Sequence, residues 1–457
     1  MSQAHVEPGT RSGRSLLVIA GVSSLGGLLF GYDTGIISGA LPTIATNFGL
    51  GDAGQQLITS AIIVGAIAGA CSSGRLSDRL GRRRAIIVAA AVFAVGAVLA
   101  AVAPEVWTLG IARLVLGFAV GLAAQAVPVY VAELASPARR GGLVVLFQLA
   151  ITVGILAAYL AGYALDDGWR WMFGLGLVPA VVLLLGMLAL PESPRWLFTH
   201  GDPAAARTVL ARIRPDAVAV DAEIADLTAV PQGRKGLGVL RARWLRPALV
   251  AGIGLAIASQ VTGINAIIYY APTILGDAGF GRDAAMLTTV GVGVVNFLMV
   301  AIGIRLVDRL GRRRLLLTLL PGAVLCLAAL AAVLMIQPAP QGAARWVVII
   351  GVLGYIACNG GSLSVVVWLA GPEMYPLEVR SVAVATSTFA VWLFDLLVSL
   401  TTLSLTSALG ATGTFWLFAV VNALAFLFVR RFVPETRARS LEDIENALRA
   451  GTFRAMR

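Results

Sequence analysis

The sequence predicts an all-α membrane protein in which twelve transmembrane helices form two six-helix bundles, and three observations support this. Hydrophobic residues make up 58% of the 457 residues and charged residues only 13%, against roughly 25% charged in an ordinary soluble protein. The chain contains twelve apolar runs of about the 20 residues that a bilayer-crossing helix needs. Its two halves also repeat a set of charged motifs. Because the runs are continuously apolar and do not alternate, they predict helices and not a barrel.

The predicted spans fall six on either side of one long polar segment. In chain order they are 15–38, 55–74, 85–103, 107–132, 142–163, 170–190, 247–275, 284–306, 315–336, 345–370, 380–407 and 412–432. This order predicts five regions. They are a cytoplasmic N-terminal tail (1–14), an N-terminal six-helix bundle (15–190), a cytoplasmic linker with short amphipathic helices (191–246), a C-terminal six-helix bundle (247–432) and a cytoplasmic C-terminal tail (433–457).

The positions of the 35 lysine and arginine residues predict the orientation of the chain. With a cytoplasmic N-terminus, only Arg170, Arg282 and Arg345 lie in or beside outer loops, Arg113 lies within a span, and the other 31 are cytoplasmic. The positive-inside rule therefore predicts that both termini lie in the cytoplasm, and we expect a multi-pass protein of the plasma (inner) membrane. Since topology accounts for the net charge of +11, no nucleic-acid partner is expected.

Charged motifs at the cytoplasmic ends of the spans recur in the two halves. The segment RLSDRLGRRRAII from Arg75 returns 230 residues later as RLVDRLGRRRLLL from Arg305, in the turn between the second and third spans of each half. ELASPARRG after span four corresponds to EMYPLEVRS after span ten, and PESPR after span six to PETRAR after span twelve. A duplicated six-helix unit is typical of secondary transporters, which hold their substrate between the repeats.

Acidic and basic side chains in these motifs are candidates for a cytoplasmic gate. Opposite charges at the ends of different helices can pair across the seam between the halves in one state and separate in another. Topology alone would explain the arginines, but not the acidic residues at matching positions. The candidate gate residues are Asp78, Arg79, Arg83, Glu133, Arg139, Glu192, Asp308, Arg309, Arg313, Glu373, Arg380 and Glu435.

The order and spacing of several motifs resemble the sugar porter family of the major facilitator superfamily. The motifs are GYDTGIISG in span one, DRLGRRR in both halves, RLVLGFAVG in span four, PVYVAELASPARRG after it, PESPRWL after span six, GINAIIYYAP in span seven and PET after span twelve. The resemblance runs from about Ser15 to Glu445. It implies alternating-access transport of a monosaccharide or polyol about a central cavity, and nested repeats are a known feature of this superfamily. We expect the chain to act as a monomer.

Three charged residues, Asp33, Arg113 and Asp395, lie deep within predicted spans. An isolated ionised side chain at that depth is costly, so each needs a partner, water or a proton. Asp33 and Arg113 belong to the same half, and the resemblance places them close together and gives them the coupling role in proton-coupled members. When the arginine moves away, desolvation favours the protonated acid. We therefore predict H+ symport, with a permanent ion pair in a facilitated uniporter as the alternative.

Amide and aromatic side chains within apolar spans are candidates for the sugar site. A sugar has hydroxyls at its rim and an apolar face, which amides, hydroxyls and aromatic rings complement. The candidates are Gln148, Ser259, Gln260, Asn265, Asn296, Trp368, Trp392 and Asp395. The resemblance matches all of these except Ser259 and Asp395 to sugar-binding positions. Hydrogen bonding or packing between helices is the alternative role.

Ser259 and Asp395 depart from the pattern of the family that the chain resembles. Ser259 replaces the first of two adjacent glutamines, which removes a long contact and leaves a roomier cavity. Asp395 stands where an asparagine is common, and three roles remain open for it: binding hydroxyls, handling protons or pairing within the bundle. Span six has Gly174 to Gly176 where some proton-coupled members carry an acid. These departures argue against assuming glucose as the substrate, and a pentose, an inositol or another polyol is an equally good candidate.

An enzyme is not predicted, because neither a nucleophile with its base nor a metal cluster can be assembled. The only histidines, His5 and His200, lie in polar segments, and the three cysteines lie in apolar runs without paired spacing. No cofactor is expected apart from H+ as the coupling ion. A membrane sensor that binds sugar without moving it is a more distant alternative, because such proteins tend to carry long cytoplasmic signalling tails.

Overall fold

A computed structural model describes residues 11–453 except 137–139, 166–167, 215, 230–236, 377, 438 and 440. Within these residues the regular structure is helical and there is no β-strand. The helices are α1 (Arg11–Phe48), α2 (Asp52–Leu80), α3 (Arg82–Ala101), α4 (Val106–Leu134), α5 (Arg140–Leu165), α6 (Trp169–Leu175), α7 (Leu177–Ala189), α8 (Pro194–Thr199), α9 (Pro203–Ile213), α10 (Ala217–Ala229), α11 (Arg246–Val261), α12 (Ile264–Asp277), α13 (Arg282–Leu310), α14 (Arg312–Ile336), α15 (Ala343–Gly360), α16 (Leu363–Met374), α17 (Arg380–Phe432) and α18 (Leu441–Arg449).

All twelve predicted spans fall on these helices, which confirms the predicted fold class. Among the described residues, eleven helical segments are long and apolar enough to cross a membrane. The last of them, α17, contains both predicted span eleven and predicted span twelve. The two spans are separated at Gly410, where the helical geometry is interrupted (φ 69°, ψ 168°). This backbone conformation is essentially restricted to glycine. The interruption falls in the gap that the sequence left between residues 407 and 412.

The turns at the repeated RLGRRR motifs contain fewer residues than predicted. Gly81 alone separates α2 from α3, and Gly311 alone separates α13 from α14. The Asp-Arg-Leu part of each motif therefore forms the last turn of the preceding helix, and the three arginines begin the next one. Span one is longer than predicted: α1 continues to Phe48, although Pro42 lies within it.

Spans six, seven and ten each consist of two consecutive helices. The breaks lie at Gly176, at Thr262 and Gly263, and at Gly361 and Ser362. A break in a membrane helix leaves backbone groups that need other partners. In span seven the carbonyl of Thr262 accepts hydrogen bonds from the hydroxyl of Tyr355 (2.8 Å) and from Nδ2 of Asn422 (2.9 Å). These two buried side chains thereby stabilise the break between α11 and α12.

The first compact unit comprises the described residues of Met1–Asp33, Ala61–Ile155 and Gly168–Gly233. Glycines allow its helices to approach closely, as small residues commonly do in membranes. A Cβ atom added at Gly117 of α4 would collide with the carbonyl oxygen of Ile62 on α2, and one at Gly121 with that of Ala66. Because the two glycines are four residues apart in a helix, they lie on the same helix face. That face is the contact with α2.

The polar segment after α7 contains short helices that belong to the first unit. Ser193 and Asp202 accept hydrogen bonds from the backbone N–H groups that begin α8 and α9, as N-cap residues do. Arg214 then donates to the carbonyl oxygen of Leu134 at the end of α4 and to Glu223 of α10, both at 2.8 Å. These contacts attach α9 and α10 to the end of α4. The domain boundaries themselves stay predictions.

The second compact unit comprises the described residues of Thr34–Ser60, Leu156–Asp167 and Arg234–Arg457. In it, α14 packs against both α15 and α17, and α11 packs against α17. Tyr270 of α12 is fully buried, and its hydroxyl donates to the carbonyl oxygen of Ser399 in α17 at 2.9 Å. The two parts of span seven are therefore both held against α17.

Candidate functional site

The Asp33 carboxylate and the Arg113 guanidinium form an ion pair inside the first unit. Oδ2 of Asp33 lies 3.0 Å from Nη1 of Arg113, and the two side chains are 2% and 0% exposed. Asp33 lies on α1 and Arg113 on α4, so the pair joins two spans. The sequence predicted this pairing from the depth of the two charges and from the family resemblance.

Helix α6 packs beside this ion pair. The guanidinium of Arg113 lies 5.8 Å from the ring centroid of Phe173, within the range of a cation–π contact. The hydroxyl of Tyr32, the residue before Asp33, donates to the carbonyl oxygen of Met172 at 2.7 Å. The pair is thus enclosed by three helices. Separating its charges requires a movement of α1 relative to α4.

A polar network in the second unit contains four of the predicted substrate-site residues. Nδ2 of Asn265 donates to Oε1 of Gln260 (2.8 Å) and to Oδ1 of Asp395 (2.7 Å). Nε2 of Gln260 donates to Oγ of Ser259 (2.9 Å), which in turn donates to the carbonyl oxygen of Ala256 (2.7 Å). The network runs along α11, crosses the break in span seven and ends on α17. The hydrogen bond between Gln260 and Asn265 therefore depends on the backbone geometry of this break.

Tyr269 is a further member of this network. The sequence suggested that Tyr269 closes the outer side of the cavity or lies at the membrane interface, and did not place it among the substrate-binding residues. Its hydroxyl donates to Oδ2 of Asp395 at 3.1 Å. Tyr269 follows Asn265 by four residues on α12, and residues at this spacing share a helix face. The spacing from Asn265 could therefore have identified Tyr269 as a neighbour of the predicted site. The two residues together supply the hydrogen bonds that Asp395 accepts in the described structure.

The other predicted substrate-site residues lie on separate helices. Asn296 is buried on α13, and a Cβ atom at Gly360 would lie 2.8 Å from its Oδ1. Trp392 is buried on α17, one turn before Asp395, whereas Trp368 on α16 is 42% exposed. Gln148 is half-buried on α5 in the first unit. A sugar-binding role for these four residues stays a prediction.

An ion-pair cluster joins α2, α3 and α4 in the first unit. Arg82 lies 3.0 Å from Oε2 of Glu133 and 3.4 Å from Oδ1 of Asp78. The hydroxyl of Ser193 donates to Glu133, and the indole N–H of Trp196 donates to the carbonyl oxygen of Asp78 at 2.8 Å. The cluster thus fixes the ends of three spans to α8.

The second unit repeats this cluster. Arg312 donates through two nitrogens to Glu373, at 2.8 and 3.0 Å, and lies 3.5 Å from Oδ1 of Asp308. The hydroxyl of Thr436 donates to Glu373 at 2.6 Å, as Ser193 does to Glu133. The correspondence supports the internal duplication that the sequence predicted.

A glutamate caps the third helix of each repeat. Glu192 accepts a hydrogen bond from the backbone N–H of Arg83 at 2.9 Å. Glu435 accepts from the N–H groups of Arg312 (3.0 Å) and Arg313 (3.1 Å). A carboxylate at a helix N-terminus satisfies free N–H groups and interacts favourably with the helix dipole. These two gate candidates therefore have a structural role.

The remaining gate candidates differ in their surroundings. Arg79 and Arg309 are exposed, and Arg380 donates to the carbonyl oxygen of Tyr375 at 3.1 and 3.2 Å. Arg139 lies outside the described residues. The ion pairs described above lie within one unit each, and gating across the seam stays a prediction.

Sequence reasoning missed the central arginine of each cluster, Arg82 and Arg312. Each follows an aspartate of the DRLGRRR motif by four residues, a spacing that brings two helical side chains together. The sequence could not select among three consecutive arginines, because the choice depends on how the helix is rotated toward Glu133 or Glu373.

Replacing Gly311 by alanine should lower the free energy of unfolding by at least about 1 kcal/mol. Gly311 has φ 93° and ψ 162°, and the Glu435 carboxylate occupies the space that a Cβ would need. Thermal unfolding of the purified protein in detergent measures the effect. Gly371→Ala is the control, because Gly371 is helical and no atom lies within 4 Å of a Cβ there. Equal stability of the two variants would contradict the prediction.

Comparison with known proteins places the chain among transporters. Residues 19–448 match the family described as "Sugar (and other) transporter". The glucose transporter GlcP of Staphylococcus epidermidis is 40% identical, with 97% of this chain and 99% of the relative covered. The D-xylose transporter of Levilactobacillus brevis is 41% identical, with coverage of 94% and 95%.

A solved structure agrees with these sequence relatives. The proton:xylose symporter XylE of the major facilitator superfamily, bound to 6-bromo-6-deoxy-D-glucose, superposes with a TM-score of 0.79 at 31% identity, covering 96% of this chain and 100% of the other. The match extends over both halves and over the linker between them. The chain is therefore a member of the sugar transporter family of the major facilitator superfamily.

Proposed function

We propose that the chain is a proton-coupled importer of a monosaccharide or polyol that works by alternating access. The observation that carries the proton step is the buried ion pair of Asp33 and Arg113, with side chains 2% and 0% exposed. Relatives described as a glucose transporter, a D-xylose transporter and a proton:xylose symporter support the substrate class. The proposed location is the plasma membrane, with a monomer as the working unit and both termini in the cytoplasm.

The proton step follows from the electrostatics of a buried pair. While the charges are 3.0 Å apart, the guanidinium stabilises the ionised carboxylate. When α1 moves relative to α4, Asp33 is left in an apolar environment, where the neutral acid is favoured and a proton is taken up. The return of Arg113 releases this proton. A helix movement thereby becomes a proton-binding event, which couples the two states of the carrier to the proton gradient.

The polar network of the second unit is proposed to bind the sugar. Gln260 and Asn265 carry amides that hydrogen-bond one another at 2.8 Å, and sugar hydroxyls can donate to and accept from the same groups. Buried Trp392 offers an apolar ring face. Because the network contains Asp395, its acceptor capacity exceeds what a row of neutral amides would provide.

Replacing Asp33 by asparagine should abolish sugar accumulation driven by a pH gradient in proteoliposomes. Exchange of labelled for unlabelled sugar should survive, because exchange needs no net proton movement. The side chains are almost equal in size, but the buried guanidinium of Arg113 loses its counter-charge, so the surviving exchange activity also serves as the check that the variant is folded. Asp226→Asn, a change at an exposed position of α10, is the control and should leave both activities intact.

Two outcomes would contradict the proton proposal. The first is gradient-driven accumulation that is intact in the Asp33→Asn variant. The second is net uptake by the unaltered protein that produces no proton flux and does not respond to a pH gradient. That second result would identify a facilitated uniporter, in which the ion pair only joins α1 to α4.

A further inference from the structure

Asp395 is a buried carboxylate that has neutral neighbours. It is 5% exposed on α17, and its oxygens accept hydrogen bonds from Asn265 at 2.7 Å and from Tyr269 at 3.1 Å. None of the ion pairs within the described part of the chain includes Asp395. A carboxylate without a cation is costly in a buried site. The contrast with Asp33, which has Arg113, indicates that the positive partner of Asp395 comes from outside the protein.

Asp395 also determines how the amides beside it are oriented. A carboxylate only accepts hydrogen bonds, so Asn265 must present its NH2 group to it. The same NH2 group donates to Oε1 of Gln260 at 2.8 Å, which uses its second hydrogen. Gln260 must then direct its own NH2 group toward Ser259, at 2.9 Å. Each amide orientation in the network is the one that a hydrogen-bond acceptor at Asp395 requires.

This orientation leaves the network rich in acceptors. Both hydrogens of the Asn265 amide are engaged within the protein. Among the described residues, no donor is bound to the Asn265 oxygen, and Gln260 Oε1 and the Asp395 carboxylate each keep acceptor capacity beyond the bonds given above. A ligand group that donates several hydrogen bonds and carries a positive charge complements such a site. An ammonium group has three donors and no acceptor, and its bonds to a carboxylate are stronger than those of a neutral hydroxyl.

We propose that Asp395 is a specificity-determining residue that favours amino sugars, in which an ammonium group replaces a hydroxyl, over their neutral parent sugars. The inference rests on the proposed sugar site. An ammonium group beside Asp395 neutralises the buried charge and fills the free acceptor positions. A neutral sugar contributes only hydroxyl donors and supplies no charge to balance the carboxylate.

Binding to the purified protein in detergent tests this inference. Thermal stabilisation, titrated to give Kd, compares D-glucose with its 2-amino-2-deoxy and 6-amino-6-deoxy analogues, and D-galactose with its 2-amino-2-deoxy analogue. Measurements at about pH 7 leave most of each amine protonated, since α-amino groups titrate at about 7.7–8.0, and favour the ionised carboxylate more than a lower pH would. At least one amino sugar should bind about tenfold or more tightly than its parent, as charged hydrogen bonds allow.

The Asp395→Asn variant should remove this preference. Asparagine has nearly the same shape, and its side-chain oxygen still accepts from Asn265, so the ratio of the Kd of the parent sugar to that of its amino analogue should fall to about one, whatever the change in the Kd of the parent sugar itself. The Tyr269→Phe variant is the matched control. It removes one hydrogen bond to the carboxylate but keeps the charge, so the preference for the amino sugar should persist.

The outcomes separate this inference from the proposed function. If the parent sugars bind and no amino sugar binds more tightly, the inference fails and the proposed function stands. If no sugar binds at all, both fail. A preference that persists in Asp395→Asn also overturns the inference. So does a variant that loses only pH-driven accumulation, because Asp395 would then handle protons. The comparison of ligands on the unaltered protein remains decisive even if a variant does not fold.

Discussion

Replacing Arg113 by leucine should lower the free energy of unfolding by about 3–5 kcal/mol, because the change leaves the Asp33 carboxylate buried and unpaired. The side chains of the two residues are 0% and 2% exposed, so water cannot compensate. Thermal unfolding of the purified protein measures the loss. Arg305→Leu is the control, since Arg305 is exposed and, within the described part of the chain, its side chain donates to the carbonyl oxygen of Ala301 on its own helix. Its effect should be within about 0.5 kcal/mol.

The double variant Asp33→Asn with Arg113→Leu should recover a large part of that loss. It removes both charges, and a buried pair replaced by neutral groups is often tolerated, whereas a half-removed pair is not. The two changes should therefore be non-additive by more than about 1 kcal/mol, as expected for residues in direct contact. Strictly additive losses would mean that the 3.0 Å contact does not contribute to stability.

Much of the fold could be predicted from the sequence, because long apolar runs have few alternatives in a membrane. The duplication was visible in the DRLGRRR motifs, and the boundary between spans eleven and twelve fell at Gly410. The extent of α1 was not predictable in the same way. The sequence boundary ended before Pro42, but a proline within a membrane helix is tolerated when neighbouring groups satisfy the freed carbonyl.

Some contacts of the candidate site could be predicted from the sequence and others could not. Asp33 and Arg113 could be paired because they are the two charges buried deep in the first half, and each needs a partner. The link from Asn265 to Asp395 could not be predicted, because it depends on the rotation of α12 after the break at Gly263. That break has left-handed backbone geometry at φ 96°. Its effect on side-chain direction is not encoded in residue spacing.

The same reasoning explains why Arg82 and Arg312 were missed. The sequence contains three consecutive arginines in each repeat, and all three satisfy the positive-inside rule equally well. Of these, Arg82 contacts Glu133 and Arg312 contacts Glu373. Which arginine contacts the glutamate depends on how two helices pack together. Residue spacing predicts contacts only within one helix. Equivalent positions in the two halves nevertheless have equivalent partners, so the duplication could have identified one cluster from the other.

Replacing Gly117 by leucine should destabilise the protein by about 3 kcal/mol or more, at or above the upper end of the range for overpacking. A Cβ atom at Gly117 would collide with the carbonyl oxygen of Ile62 on α2. Backbone cannot rotate out of the way as a side chain can, so α2 and α4 must separate. Thermal unfolding in detergent measures the loss.

Gly21 provides the matched control for this substitution. It is an exposed helical glycine of α1, and no atom lies within 4 Å of a Cβ placed there. Leucine has a higher helix propensity than glycine, so Gly21→Leu should be neutral or stabilising, and the difference between the variants isolates the helix contact. Because Arg113 lies one turn before Gly117 on α4, separation of α2 from α4 should also disturb the ion pair with Asp33. Combining Gly117→Leu with Arg113→Leu should then cost less than the sum of the two changes, whereas strict additivity would show that helix packing and the buried pair are independent.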